Sequence, residues 1–298
     1  MKKLSRKFTI NYFKPDLKPV MEVELNERFI VETHDCYGGQ VTNEAILRPE
    51  IDISIMNLAT GPIYINGVKQ NDVIKIDIEN IEVGQKGIMM LTKGLGVLGE
   101  AIHESTTKMI PVENQRLKFS EKLSLPVNPM IGVIGVATDK KEVHTAVPGS
   151  HGGNLDTKDI TTGNSIYLPV FQEGALLAMG DLHAAMGDGE LDGTGVEIDG
   201  NVTLSVSKVD GEQLLNPVVE SPNAFYFLAS AETLEHAIKD ASSDTVEHLM
   251  KELSLNFEIA YRLLSAYCNI QISQVVNKLV TVRVKVPKEL LPQLFKVK

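Results

Sequence analysis

The sequence contains no tryptophan, and aromatic residues make up only 5% of its 298 positions. That scarcity argues against a large aromatic-lined substrate pocket. Cysteine is nearly as rare. Cys36 and Cys268 are the only two, and they read as free thiols of a reducing cytoplasm rather than as a disulfide framework. No apolar run approaches the roughly 18 residues of a membrane helix. The start, MKKLSRKFTINYFKPDLKPV, is basic but lacks the apolar core of about 7–15 residues that a secretory signal needs. The expectation is a soluble, cytoplasmic protein with no membrane partner. Positive charge is also in deficit: 29 Lys and Arg against 39 Asp and Glu give a formal net charge of −10. Such a surface repels phosphate backbones, so no nucleic-acid partner is expected. Coiled-coil heptads are missing as well, which leaves a homodimer as the ordinary expectation for assembly.

What is present is an ordinary globular balance, 43% hydrophobic and 23% charged. The first two thirds read as β structure. In residues 73–80, Val73, Lys75, Asp77 and Glu79 alternate with Ile74, Ile76, Ile78 and Asn80, the period of a strand with one face inward. Asn66-Gly67 before it marks a tight turn. Residues 29–33, 130–138, 165–170 and 173–180 are further apolar strand candidates. Residues 195–209 hold two alternating runs separated by Asp199-Gly200, the pattern of a hairpin. Beyond residue 230 the period changes. Helices are predicted from Ser230, from a Ser243 cap, and over Asn256–Tyr267, followed by a strand in LVTVRVKV. The fold class is therefore mainly β: a sandwich- or barrel-type body over residues 1–225, with a smaller α+β part, 226–298, packed on it.

Three segments concentrate chemistry: His34-Asp35-Cys36-Tyr37-Gly38-Gly39-Gln40, PGSHGGNLD at 148–156, and GDLHAAMGDGE at 180–190. On a strand, residues two apart share a face, so Asp181 and His183 present a carboxylate and an imidazole together. That mixed O and N pair suits a divalent ion such as Zn²⁺. Two residues are half of a tetrahedral site. Asp35, at the end of another strand, is the candidate third ligand, with His34 and His151 as alternatives. Gly187 and Gly189 allow tight turning and bring Glu190 close to His183, where it can serve as a general base. Gly152-Gly153 offer backbone N–H groups to an oxyanion, and Asn154 offers its amide to an amide substrate. The spacing at Gly94–Gly99 is that of a dinucleotide loop, but its β-rich context makes it an ordinary loop. Cys36 reads as a structural thiol, with a nucleophile as the alternative.

Together these three segments resemble the acetamidase/formamidase family, in the family's order. NLATGPIYINGVKQNDVIKIDI at 57–78 and GLGVLGE at 94–100 resemble it too. The similarity runs from about residue 25 to 285. It implies hydrolysis of short monocarboxylic amides, a β-rich body and a divalent-metal site. The acidic and histidine positions carried over are Asp35, His151, Asp181, His183 and Glu190. The expected mechanism has metal on Asp35, Asp181 and His183, most simply Zn²⁺, with an additional Ca²⁺ allowed by the acidic loops. Glu190, His151 and Asn154 form the expected catalytic set. Two rival readings stand beside it: a thiol amidase using Cys36, and a non-enzymatic β-sandwich module with structural Ca²⁺.

Overall fold

A computed structural model describes residues 1–209 and 213–295. It is 40% strand and 14% helix, in two large sheets and two C-terminal helices. The alternating run at 73–80 forms the strand Val73–Val83, where Ile74, Ile76 and Ile78 are buried while Lys75, Asp77 and Glu79 stay partly exposed. It lies inside a nine-stranded sheet, bonded to Gly200–Val209 on one side and Ser165–Pro169 on the other. A second, eleven-stranded sheet contains Lys86–Leu91, Met130–Gly135, Gly152–Asn154, Leu177–His183 and Glu197–Ile198. Val31, Ile76, Val202 and Leu204 of the first sheet share one hydrophobic cluster with Ile131, Ile134, Met179 and Leu182 of the second. Full burial of each such side chain contributes about 1.5–3 kcal/mol. This shared cluster is the core of the β body, and it fixes the second sheet that carries the site.

Two sequence expectations change in the structure. Asp199-Gly200 does not make a hairpin. Glu197–Ile198 belongs to the eleven-stranded sheet and Gly200–Val209 to the nine-stranded one, so the pair is a crossing between sheets. A type I′ turn needs φ > 0 at both central residues, and neither is among the residues with positive φ. Gly200 instead permits close approach, since a Cβ there would lie 2.4 Å from the Glu82 carbonyl oxygen. The two helices expected on either side of Ser243 are one helix, α1, Leu234–Leu253. Its cap is Thr233, whose hydroxyl accepts from the His236 N–H, and Ser243 lies in its interior. The second helix, α2, is Phe257–Tyr267, capped by Asn256.

Both helices bury Ala237, Val246, Leu249, Ala260 and Leu264 against Val282, Val284 and Val286, in a cluster separate from the main core. Residue 225 itself falls within the strand Ala224–Ala231, and the later strands extend the nine-stranded sheet. Among the described residues, no helix is long and apolar enough to cross a membrane.

Candidate metal centre

The strand Leu177–His183 is buried at every position. Asp181 is 1% exposed and His183 0%. Buried ionisable groups are paired or coordinate a metal, and the surroundings of these two supply further acids. His183 Nε2 lies 3.2 Å from Glu197 Oε1, 3.5 Å from Asp181 Oδ1 and 3.8 Å from Asp156 Oδ1. Two groups of potential ligand atoms converge here. Asp156, His183 and Glu190 form one, and Cys36, Asp181 and Glu197 the other, with the atoms of each within 4.8 Å of one another. In a tetrahedral zinc site with bonds of about 2.0–2.2 Å, ligand atoms stand roughly 3.3–3.6 Å apart. The 3.5 Å between His183 Nε2 and Asp181 Oδ1 has that spacing, and Glu197 and Asp156, at 3.2 and 3.8 Å, lie just to either side of it.

The polar atoms are aimed inward and lack hydrogen bonds. Both His183 ring nitrogens, Asp156 Oδ1, Asp181 Oδ1 and Glu197 Oε2 are buried without one. The close contacts of Nε2 lack hydrogen-bond geometry, as expected of donors turned toward a shared ion rather than toward each other. Three carboxylate oxygens accept side-chain hydrogen bonds. Asn57 donates to Asp181 Oδ2 at 3.0 Å, Asn277 to Asp156 Oδ2 at 2.7 Å, and the Thr194 hydroxyl to Glu197 Oε1 at 3.1 Å. Such second contacts orient ligands.

Backbone geometry is given up to make this centre. Asp156 (φ 40°), Asp181 (φ 56°) and Glu190 (φ 49°) all occupy the left-handed region. Each costs of order 1–3 kcal/mol in a non-glycine residue, and such strain concentrates at functional sites. Space comes from two glycines. A Cβ on Gly132 would lie 2.7 Å from Asp156 Oδ1 and 2.8 Å from Asp181 Oδ2; one on Gly195 would lie 2.4 Å from His183 Nδ1. A Gly195→Ala chain should therefore fold with His183 displaced and bind zinc at least tenfold more weakly, of the order seen for disturbed second contacts, about 10–100-fold. Metal titration of the purified variant checks this.

Electrostatics follow from burial. Burial pushes Asp156 up to about 6, helped by Asp181, and Glu197 up to about 8, again helped by Asp181. Burial and then Asp156 lift Glu190 well above the usual carboxylate range. Burial alone would lower His183 and raise Asp181. The attraction of Glu197 and Asp181 instead holds the imidazole well up, and His183 holds Asp181 down. Metal-free protein, with Asp181 held down and ionised in both states above about pH 5, thus binds more protons on Asp156, Glu190, Glu197 and His183 when folded than when unfolded. Its stability should fall as pH rises from ordinary carboxylate values near about 4 through about 8. Urea unfolding of chelated protein at pH 5.0 and 8.5 measures this, and added Zn²⁺ should remove the decline.

The structure brings together only part of the expected set. Asp181, His183 and Glu190 converge. Asp35 lies outside both ligand groups: its Oδ1 accepts from the Tyr37 N–H at 2.8 Å and the Gly39 N–H at 3.2 Å, holding the turn that brings in Cys36. His151 packs against the Phe13 ring near Gly135, three residues along the strand from Gly132. Burial lowers it to about 4, leaving it neutral. It lines a separate small cavity with Lys141 and Phe171. His34 is in neither group. Asn154 flanks the centre, its carbonyl 3.5 Å from the Asn277 amide that holds Asp156.

Asp156, Glu197, Asn57 and Asn277 were not anticipated. Glu197 looked like the outward position of an alternating strand, but Glu197–Ile198 is buried on both faces. Asp156 ends the glycine-rich segment 148–156, and Asn277 reaches it from 121 positions away. Asp188, which resembles an ordinary turn acid, accepts from Arg283 at 2.7 Å and Lys158 at 2.9 Å. With Gly189 N–H donating to the Ser273 carbonyl, it fixes the loop that carries Glu190.

A mainly β fold enclosing a buried acid–histidine cluster is an arrangement that could hold a metal ion. Comparison then gives the family. The acetamidase/formamidase sequence model matches residues 2–144 and 137–292, and the chain belongs to that family of amidohydrolases. It is similar to the crystal structure of an acetamidase from Bacillus halodurans, with TM-score 0.96, 41% identity and coverage of 98% of this chain and 99% of that one. It is likewise similar to a predicted acetamidase/formamidase from Thermoanaerobacter tengcongensis, with TM-score 0.96, 44% identity and coverage of 98% and 97%. A formamidase from Methylophilus methylotrophus is 24% identical over 277 residues, covering 70% of this chain and 67% of the relative. The chain thus spans about two thirds of that relative's length.

Proposed function

We propose that this chain hydrolyses short aliphatic monocarboxylic amides, of the formamide and acetamide class, to carboxylate and ammonia at a divalent-metal centre. The observation carrying this reading is the set of unbonded, inward-facing atoms around His183, in a family whose relatives are named formamidase and acetamidase. His183, Asp181 and Asp156 would hold the ion, with Glu197 against the imidazole. Nitrogen and carboxylate donors at this spacing suit Zn²⁺. Neither group is the all-oxygen cage that Ca²⁺ takes, so calcium is not carried forward. When bound, the ion supplies Lewis acidity and lowers the pKa of a water.

The protein's own groups do the rest. Glu190 borders both the ligand group and the open cavity outside it. It accepts the proton of the attacking water and returns it to the departing amine, which cannot leave as an anion. Burial and then Asp156 raise its carboxyl well above the usual range, which strengthens it as a base toward the water proton. Cys36 is a poor rival nucleophile: burial and then Glu197 and Asp181 raise its thiol well above normal, and the thiolate is the reactive form. The test is Glu190→Gln. It should retain zinc in full and lose turnover by about 10²–10⁴-fold. Full activity in that variant would remove Glu190 from the mechanism.

A further inference from the structure

The scarcity of aromatic residues argues against a large aromatic-lined pocket, and the cavity beside the centre has Phe119 as its one aromatic wall residue. A cavity of about 560 Å³ opens beside the metal centre, with apolar walls of Met89, Phe119, Leu125, Ala185, Met186 and Val196. Three of its other lining residues belong to the centre or touch it. Glu190 is a member of a ligand group, the Thr194 hydroxyl donates to Glu197, and Gly195 lies against the His183 ring. Glu190, Thr194 and Gly195 are therefore the residues that join the cavity to the centre.

The cavity is larger and more apolar than formamide or acetamide needs. Acetamide has four heavy atoms. Allowing each the share of a liquid water, about 30 Å³, it fills roughly 120 Å³. Cavities of about 300–1,000 Å³ hold much larger ligands. The amide's own polar head is met by Glu190 and the centre, so the apolar walls beyond have no role with a one- or two-carbon acyl group.

We infer that this cavity is an acyl-chain subsite, and that the enzyme prefers amides of longer unbranched aliphatic acids, of about four to six carbons, over acetamide. This rests on the proposed amide hydrolysis at the same centre. The C–N bond is cleaved by water as before, giving the longer carboxylate and ammonia; only the acyl chain differs. The chain runs between the 116–126 hairpin, which supplies Phe119 and Leu125, and the loop 187–195. Ala185 lines the cavity, and a larger side chain there would fill part of the space. Its backbone carbonyl accepts from the Val196 N–H.

The experiment measures kcat/KM for acetamide, propionamide, butyramide and hexanamide on the zinc-replenished enzyme. The expected result is a rise of about fourfold per added methylene, the transfer value of a buried CH₂, at least up to butyramide. Ala185→Phe should cancel the rise while leaving acetamide hydrolysis within about threefold of the parent. If that variant does not fold, Phe119→Ala on the exposed hairpin should flatten the series instead. Hexanoate should inhibit acetamide hydrolysis at least tenfold more strongly than acetate does. A series that is flat or falls with chain length, with acetamide still hydrolysed, overturns the acyl subsite and leaves the proposed function standing. If no amide is hydrolysed at all, the proposed function fails. Calorimetric binding of hexanoate then decides the subsite alone: binding that Ala185→Phe abolishes upholds it, and no binding overturns it.

Discussion

An Asp181→Ala enzyme should lose its divalent ion and its turnover together, with kcat/KM falling by about 10³-fold or more. The size follows from what a metal centre contributes. Lewis-acid stabilisation is worth several kcal/mol in the transition state, and each 1.36 kcal/mol is about tenfold in rate. Asp181 is central because it belongs to one ligand group, lies 3.5 Å from the imidazole of the other, and is held by Asn57 from its far side. Removing it also leaves His183 with one carboxylate fewer. Elemental analysis of the purified variant beside its kinetics checks the coupling. Metal retained with activity lost, or activity retained without metal, would separate the two and weaken the assignment. The variant should fold, since deleting one of several mutually repelling buried carboxylates relieves Glu197 and Asp156.

The second large effect is structural. Arg283→Met should destabilise the protein by about 3 kcal/mol, the lower end of the roughly 3–5 kcal/mol expected when one partner of a buried ion pair is removed. Arg283 is fully buried. Its Nε lies 2.7 Å from Asp159 Oδ2 and its Nη2 2.7 Å from Asp188 Oδ1, while Nη1 donates to the Ile272 carbonyl at 3.1 Å. Asp188 and Asp159 retain 31% and 16% side-chain exposure, which lets water relieve them in the variant and keeps the cost at that lower end. Because Asp188 precedes Glu190 in the same loop, turnover should fall as well, in kcat more than in metal content. Urea unfolding together with metal analysis reads both. An unchanged midpoint would mean that this guanidinium contributes specificity of loop position alone.

Much of this architecture was legible in the sequence because it is written in local periods. The alternation at 73–80 placed a central strand, Asn256 placed the start of α2, and the Asp181-x-His183 spacing placed two groups of the centre on one strand. The parts that were not legible depend on what lies across the fold. Asp199-Gly200 has the composition of a hairpin, but whether the next strand returns to the same sheet is decided by which partner edge is free, and here Val73–Val83 captures it. Glu197 alternates like a surface residue because period 2 reports which face a side chain takes and says nothing about which face is wet. Asp35 and Asp156 are both acids in glycine-rich loops. One turns its oxygen back onto its own backbone and the other faces His183, a difference fixed by Gly132 and Asn277. Asp188 lies between two glycines, the composition of a turn, and is the anchor of a buried arginine.

The most direct test of the central claim is ammonia release from acetamide and butyramide by the purified chain, measured before chelation, after chelation, and after Zn²⁺ is restored. The account predicts release that falls to near background with the chelator and returns with zinc at about one ion per chain. Release that persists unchanged in fully chelated protein would contradict a metal-dependent mechanism at His183.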